Sequence, residues 1–68
     1  METKTFIVPN INCGHCIRTI ESELGELKGI TYVKADLDSK KVIVEWENPL
    51  HWSEIRELLE EIGYPPEE

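Results

Sequence analysis

The apolar residues of this 68-residue chain change their spacing repeatedly along the sequence, and that succession of periods constrains the fold more than any other feature. Residues 3–8, Thr-Lys-Thr-Phe-Ile-Val, are β-branched or aromatic apart from Lys4. They predict a strand with Phe6 and Val8 on one face and Ile7 on the other. Pro9 and Asn10 break it. From Gly14 the period lengthens, and Ile17, Ile20, Leu24 and Leu27 form one stripe of an amphipathic helix. Gly25 lies inside this helix, and Gly29 is its expected C-cap. Alternation then returns in Val33, Ala35 and Leu37 and, after a turn at Asp38-Ser39-Lys40, in Val42, Val44 and Trp46, which predicts a hairpin. Asn48 as N-cap and Pro49 at the first helical position predict a second helix. Its stripe is Trp52, Ile55, Leu59 and Ile62, with Leu58 beside it. Gly63 ends it, and Pro65-Pro66 forbids continuation.

The order β-α-β-β-α, with one apolar stripe per helix and one apolar sheet face, predicts a two-layer α+β sandwich with an antiparallel sheet. A single domain over residues 1–68 is expected, with 65–68 as a tail. In so short a chain an ordering cost of about 1.5 kcal/mol per residue nearly cancels apolar burial, so regular packing, a metal or a disulfide is expected to help. Fourteen Asp and Glu against seven Lys and Arg give a net charge of −7, which argues against a nucleic-acid partner. Phe6-Ile7-Val8, the longest apolar run, is too short for a membrane span or a signal-peptide core. A cytoplasmic location without membrane insertion is expected.

Chemistry concentrates at Cys13-Gly14-His15-Cys16, where the first strand feeds the first helix. Free amide N–H groups and the positive end of the helix dipole favour thiolates there. Spacing of three at a helix start brings both sulfurs to one side, within reach of a single ion. Thiolates select Cu(I), Zn(II) and other thiophilic ions, and two of them leave a coordination shell open. An open shell suits carriage and transfer more than structural storage. At 100° per residue His15 lies opposite the helix stripe and is expected to face solvent, whereas Cys16 borders the stripe. Direct ligation by His15 fits a metal-bridged dimer better than a single chain. His51 is expected at an exposed helix start, Trp52 and Trp46 in the core or at its rim, and Glu54, Glu57, Glu60 and Glu61 on a solvated face. Arg18, with no acidic residue between Pro9 and Ile20, leaves the thiol loop neutral to positive within an acidic chain.

From residue 4 to 64 the chain resembles the heavy-metal-associated domain family, and among its members the small bacterial copper chaperones. The resemblance rests on the loop Asn10-Ile11-Asn12-Cys13-Gly14-His15-Cys16, the helix stripe, Gly29-Ile30, the hairpin and Gly63-Tyr64. It implies a ferredoxin-like fold, Cu(I) held by Cys13 and Cys16, and handover without catalysis to a metal-binding domain of a metal-transporting P-type ATPase or to a metal-responsive regulator. It also implies that Tyr64 sits beside the metal loop; the plainer reading is a ring that covers the end of the second helix. Three departures stand out. Ile11 replaces the family's usual Met, a buried loop anchor and not a ligand, and Asn10 stands where Gly is common. The ending Tyr64-Pro65-Pro66-Glu67-Glu68 leaves a fourth strand short or absent, so the first strand becomes an edge with Ile7 and Ile43 in an exposed apolar strip.

Two alternatives compete with Cu(I) carriage. Zn(II), Cd(II) or Hg(II) would suit the same thiolates, but family members that prefer divalent ions often carry an acidic residue beside the first Cys, so the resemblance implies that neutral Asn12 favours the monovalent ion. Cys-Gly-His-Cys is also a redox motif of thiol-disulfide oxidoreductases. Such domains need a larger thioredoxin fold, typically with a Trp before the first Cys and a cis-Pro loop, and Pro9 is the only proline here before Asn48. A monomer is expected, with Met1 and the Pro-rich end suiting a free-standing protein.

Overall fold

The computed structural model describes residues 1–67, so residue 68 of the expected tail lies outside the described residues. The elements are β1 (Glu2–Ile7), α1 (Gly14–Gly25), β2 (Ile30–Ala35), β3 (Lys41–Trp46) and α2 (Trp52–Glu61). The sheet order is β1-β3-β2, and β3 pairs antiparallel with both neighbours. Register puts Val42 opposite Phe6 and Ala35, and Val44 opposite Lys4 and Val33, so one face of all three strands turns towards the helices. α1 packs on β2 and on α2. Val8, Ile11, Ile20, Leu24, Val42, Val44, Ile55 and Leu59 are fully buried, and no polar or charged side chain is buried with them among the described residues. Phe6 meets the half-buried Trp52 edge-on at 4.9 Å, Trp46 stacks on Trp52 at 6.1 Å, and Lys4 Nζ lies 4.3 Å from the Trp52 ring. The expected two-layer sandwich and the core or rim places of Trp46 and Trp52 are observed.

Several boundaries differ from the sequence expectation. α2 starts at Trp52 with His51 as N-cap, not at Asn48-Pro49. The Glu54 carboxylate accepts the His51 N–H at 2.9 Å, which supplies the acceptor that the helix start needs. Asn48-Pro49, a cis peptide, instead belongs to a turn closed by Leu50 N–H donating to Glu47 O at 3.1 Å. α1 ends at Gly25 with Glu26 as C-cap, so Gly29 is not the cap. Tight turns carry the chain on through Leu27, which still packs half-buried against the core, to Gly29 at φ +115°. A Cβ at Gly29 would lie 2.9 Å from Leu50 Cβ and 3.1 Å from Glu47 O, so both the dihedral and the close approach require glycine. β2 ends at Ala35, and Leu37 is 39% exposed rather than inward. The Asp36 carboxylate accepts Asp38 N–H at 3.0 Å and turns the chain early.

Both sheet edges are occupied at one point. Glu67 N–H donates to Ile7 O at 2.7 Å, so the fourth strand is reduced to a single bridge. Pro65 and Pro66 have no N–H with which to extend it. Ile43 is exposed as expected, whereas Ile7, at the bridge, is half-buried. On the far edge the Glu21 carboxylate accepts Ala35 N–H at 3.0 Å.

Candidate metal centre

Cys13 is the N-cap of α1, with φ −160° and ψ 165°, and its carbonyl accepts Cys16 N–H at 3.1 Å. That single helical turn places the two free thiols on one side, with their Sγ atoms 3.4 Å apart. Two sulfurs sharing a tetrahedral ion at a metal–sulfur length of about 2.3 Å stand about 3.8 Å apart, so a small side-chain adjustment admits a thiophilic ion. Cys13 is exposed, whereas Cys16 is only 6% exposed and joins the hydrophobic core. Among the described residues no group of three or more His, Cys, Asp or Glu could hold an ion, so His15 does not complete a set with the cysteines. His15 is exposed, as the helix geometry predicts. His51 is exposed at the α2 start.

Each wall of the corner comes from a different element. Ile11 is fully buried and anchors the loop, and its N–H donates to Val8 O at 3.1 Å. Tyr64, half-buried just after α2, packs against the core and stands beside Cys16. Hydrogen bonding from Tyr64 is the main reason the Cys16 thiol falls from the ordinary range to about 7. The Asn12 backbone adds to this, burial opposes it, and Cys13 lowers it further. The same contact raises the Tyr64 phenol, since a thiolate nearby disfavours a second anion. Cys16 Sγ lies 3.5 Å from Asn12 Oδ1.

Two polar contacts at the loop escaped the sequence reading. Asn10 Nδ2 donates to Gly63 O at 3.0 Å, and Lys40 Nζ lies 3.4 Å from Pro9 O. The only hint of the first was Asn10 itself, standing where the family commonly has glycine.

Residues 5–65 match the heavy-metal-associated domain. The chain belongs to that family. Within the heavy-metal-associated family it is 39% identical over 59 residues to the COP-associated protein of Helicobacter pylori strain J99, covering 87% of this chain and 89% of that protein. It is 34% identical over 65 residues to the copper chaperone CopZ of Bacillus subtilis strain 168, covering 94% of each. A chain of the Atx1–Cu(I)–Ccc2a complex superposes with a TM-score of 0.88 at 27% identity, covering 98% of this chain and 93% of that one. The architecture is the ferredoxin-like one of this heavy-metal-associated family, with its last strand cut to the Ile7–Glu67 bridge. No helix among the described residues is long and apolar enough to cross a membrane.

Proposed function

We propose that this chain carries Cu(I) on the thiolates of Cys13 and Cys16 and passes it by ligand exchange to a related metal-binding domain, such as that of a metal-transporting P-type ATPase. The observation that carries the reading is the pair of sulfurs 3.4 Å apart, one exposed, with no third His, Cys, Asp or Glu joining them among the described residues. Soft thiolates suit a monovalent copper ion, and the unfilled shell admits an incoming ligand. Its relatives support the cargo and the kind of recipient, since one is called a copper chaperone and a structural neighbour is a complex named for two proteins with Cu(I).

Transfer follows from the asymmetry of the pair. A thiolate of the recipient bonds to the ion at its open side. The bond from exposed Cys13 then breaks, and the bond from Cys16 breaks last as a second recipient thiolate takes its place. No electron moves, and the ion stays Cu(I) throughout. The process has no catalytic step, and residues 1–68 act as one monomeric unit in a reducing compartment such as the cytoplasm, where thiols stay free.

The test is a competition titration of the reduced protein against Cu(I) and Zn(II) with calibrated chelators. One Cu(I) per chain, held in preference to Zn(II), is expected; His15→Ala keeps it, and Cys13→Ser or Cys16→Ser loses it. Tight Cu(I) binding retained in either serine variant, or a preference for Zn(II), refutes the assignment.

A further inference from the structure

Two contacts join residues 7–10 to residues 63–67, and they run as an antiparallel pair. Ile7 O accepts Glu67 N–H at 2.7 Å, and Asn10 Nδ2 donates to Gly63 O at 3.0 Å. Between them lie Pro65 and Pro66, which have no N–H to give, so a backbone ladder cannot continue towards the loop. The Asn10 side chain supplies the missing rung from the opposite segment, across 53 residues of sequence.

That rung lies one residue from Tyr64. The Tyr64 N–H already donates to Leu59 O at 2.8 Å, which fixes one side of the residue to the end of α2. The carbonyl of that same peptide unit, Gly63 O, is taken by Asn10, which ties the peptide to the thiol loop. Gly63 itself adopts φ +89° with no neighbouring atom within 4 Å of a built Cβ, so the packing of this turn comes from its flanking residues Ile62 and Tyr64 and not from Gly63. On the other strand of the pair, Ile11 is buried immediately after Asn10. Loop and turn are therefore joined by the Asn10–Gly63 hydrogen bond, and the next residue of the turn, Tyr64, stands beside Cys16.

We propose that Asn10 is a positioning residue whose amide latches the thiol loop to the Gly63–Tyr64 turn, holds Tyr64 against Cys16, and so slows release of the ion. The proposal deepens the Cu(I)-carrier reading and rests on it. It makes Asn10 a determinant of delivery rate without contact to the cargo.

The experiment uses the full chain with Asn10→Ala and Asn10→Asp, each alone and combined with Tyr64→Phe. Asn10→Asp keeps the volume but sets a carboxylate against a carbonyl. Asn10 is exposed, and circular dichroism verifies that each variant folds. Cu(I) delivery to bathocuproine disulfonate is timed after one equivalent is loaded. Both Asn10 variants are expected to load one Cu(I) and release it about fivefold faster, the factor that one ordinary hydrogen bond supports. In the Tyr64→Phe background the gain disappears, because Asn10 acts through that ring. Wild-type release from both Asn10 variants, or the full gain persisting with Tyr64→Phe, overturns the proposal. A second readout needs no metal: the Tyr64 amide exchanges with deuterium about fivefold faster in Asn10→Ala, and unchanged protection overturns the latch. Failure of the wild-type protein to take up Cu(I) instead sinks the carrier reading, while the exchange measurement still decides whether the latch exists.

Discussion

The Glu21 carboxylate of α1 accepts the N–H of Ala35 at 3.0 Å. The next N–H, that of Asp36, turns to β3 and donates to Lys41 O at 2.9 Å, so Ala35 presents its N–H on the free side of β2. Such an unpaired group on an edge strand is a template for another chain, and an acidic side chain on it blocks that use. Glu21→Ala is expected to lose about 1 kcal/mol of stability in urea denaturation, since a charge-assisted hydrogen bond goes while water partly replaces it. It is also expected to associate with rising concentration in sedimentation velocity. Stability and sedimentation identical to the wild type would show the contact to be inert.

The Tyr64 contact makes the Cys16 sulfur pH-responsive near neutrality. Its thiol is lowered to about 7 chiefly by Tyr64, so Tyr64→Phe moves the pH profile of Cys16 alkylation upwards, as followed by peptide mass spectrometry. A thiol whose folded pKa lies below its unfolded value stabilises the fold above the unfolded value and loses that contribution as pH falls through the folded one. The thermal midpoint of the metal-free, reduced protein should therefore fall between pH 9 and pH 6, and less steeply in Tyr64→Phe. Superimposable alkylation profiles for the two proteins would remove Tyr64 from the site.

Ile11 anchors the loop from a fully buried position. Ile11→Met exchanges side chains of similar volume and should cost less than about 1.5 kcal/mol. Ile11→Ala leaves a cavity and should cost about 2–4 kcal/mol in chemical denaturation. Both are expected to keep one Cu(I) per chain, because the residue holds the loop and not the ion. Loss of metal stoichiometry in a folded Ile11→Met protein would contradict a packing role.

Gly25 and Gly29 should respond oppositely to alanine. Gly25 is helical, with no atom within 4 Å of a built Cβ, so Gly25→Ala is expected to stabilise by about 0.5–1 kcal/mol. Gly29 combines φ +115° with the Leu50 Cβ at 2.9 Å, so Gly29→Ala is expected to destabilise by about 1–3 kcal/mol. Paired melting curves with the same sign of shift would refute this distinction.

Periodicity made the sandwich legible. Val42, Val44 and Trp46 alternate without interruption, and β3 is indeed the central strand with those three buried. Chain ends of elements were less legible because side chains elsewhere decide them. Asn48-Pro49 has the composition of a helix start, yet Glu54 sits three residues after His51 and caps the chain there. Gly29 looks like a helix cap, but its conformation and close approach to Leu50 serve a later turn. Two prolines advertise the end of pairing, and they conceal the bridge that Glu67 makes beyond them. At the candidate site the thiols and the solvent-facing His15 follow from local helix geometry. Asn10–Gly63 and Glu21–Ala35 were invisible, since each depends on segments far apart in sequence brought together by folding.

Cys16 is a member of the core as well as a side of the thiol corner. Peroxide attack on that atom would set polar oxygens among core side chains that, among the described residues, include no buried polar or charged one. Oxidation at the thiol corner would thereby also disturb the interior, and a destabilised fold opens more often.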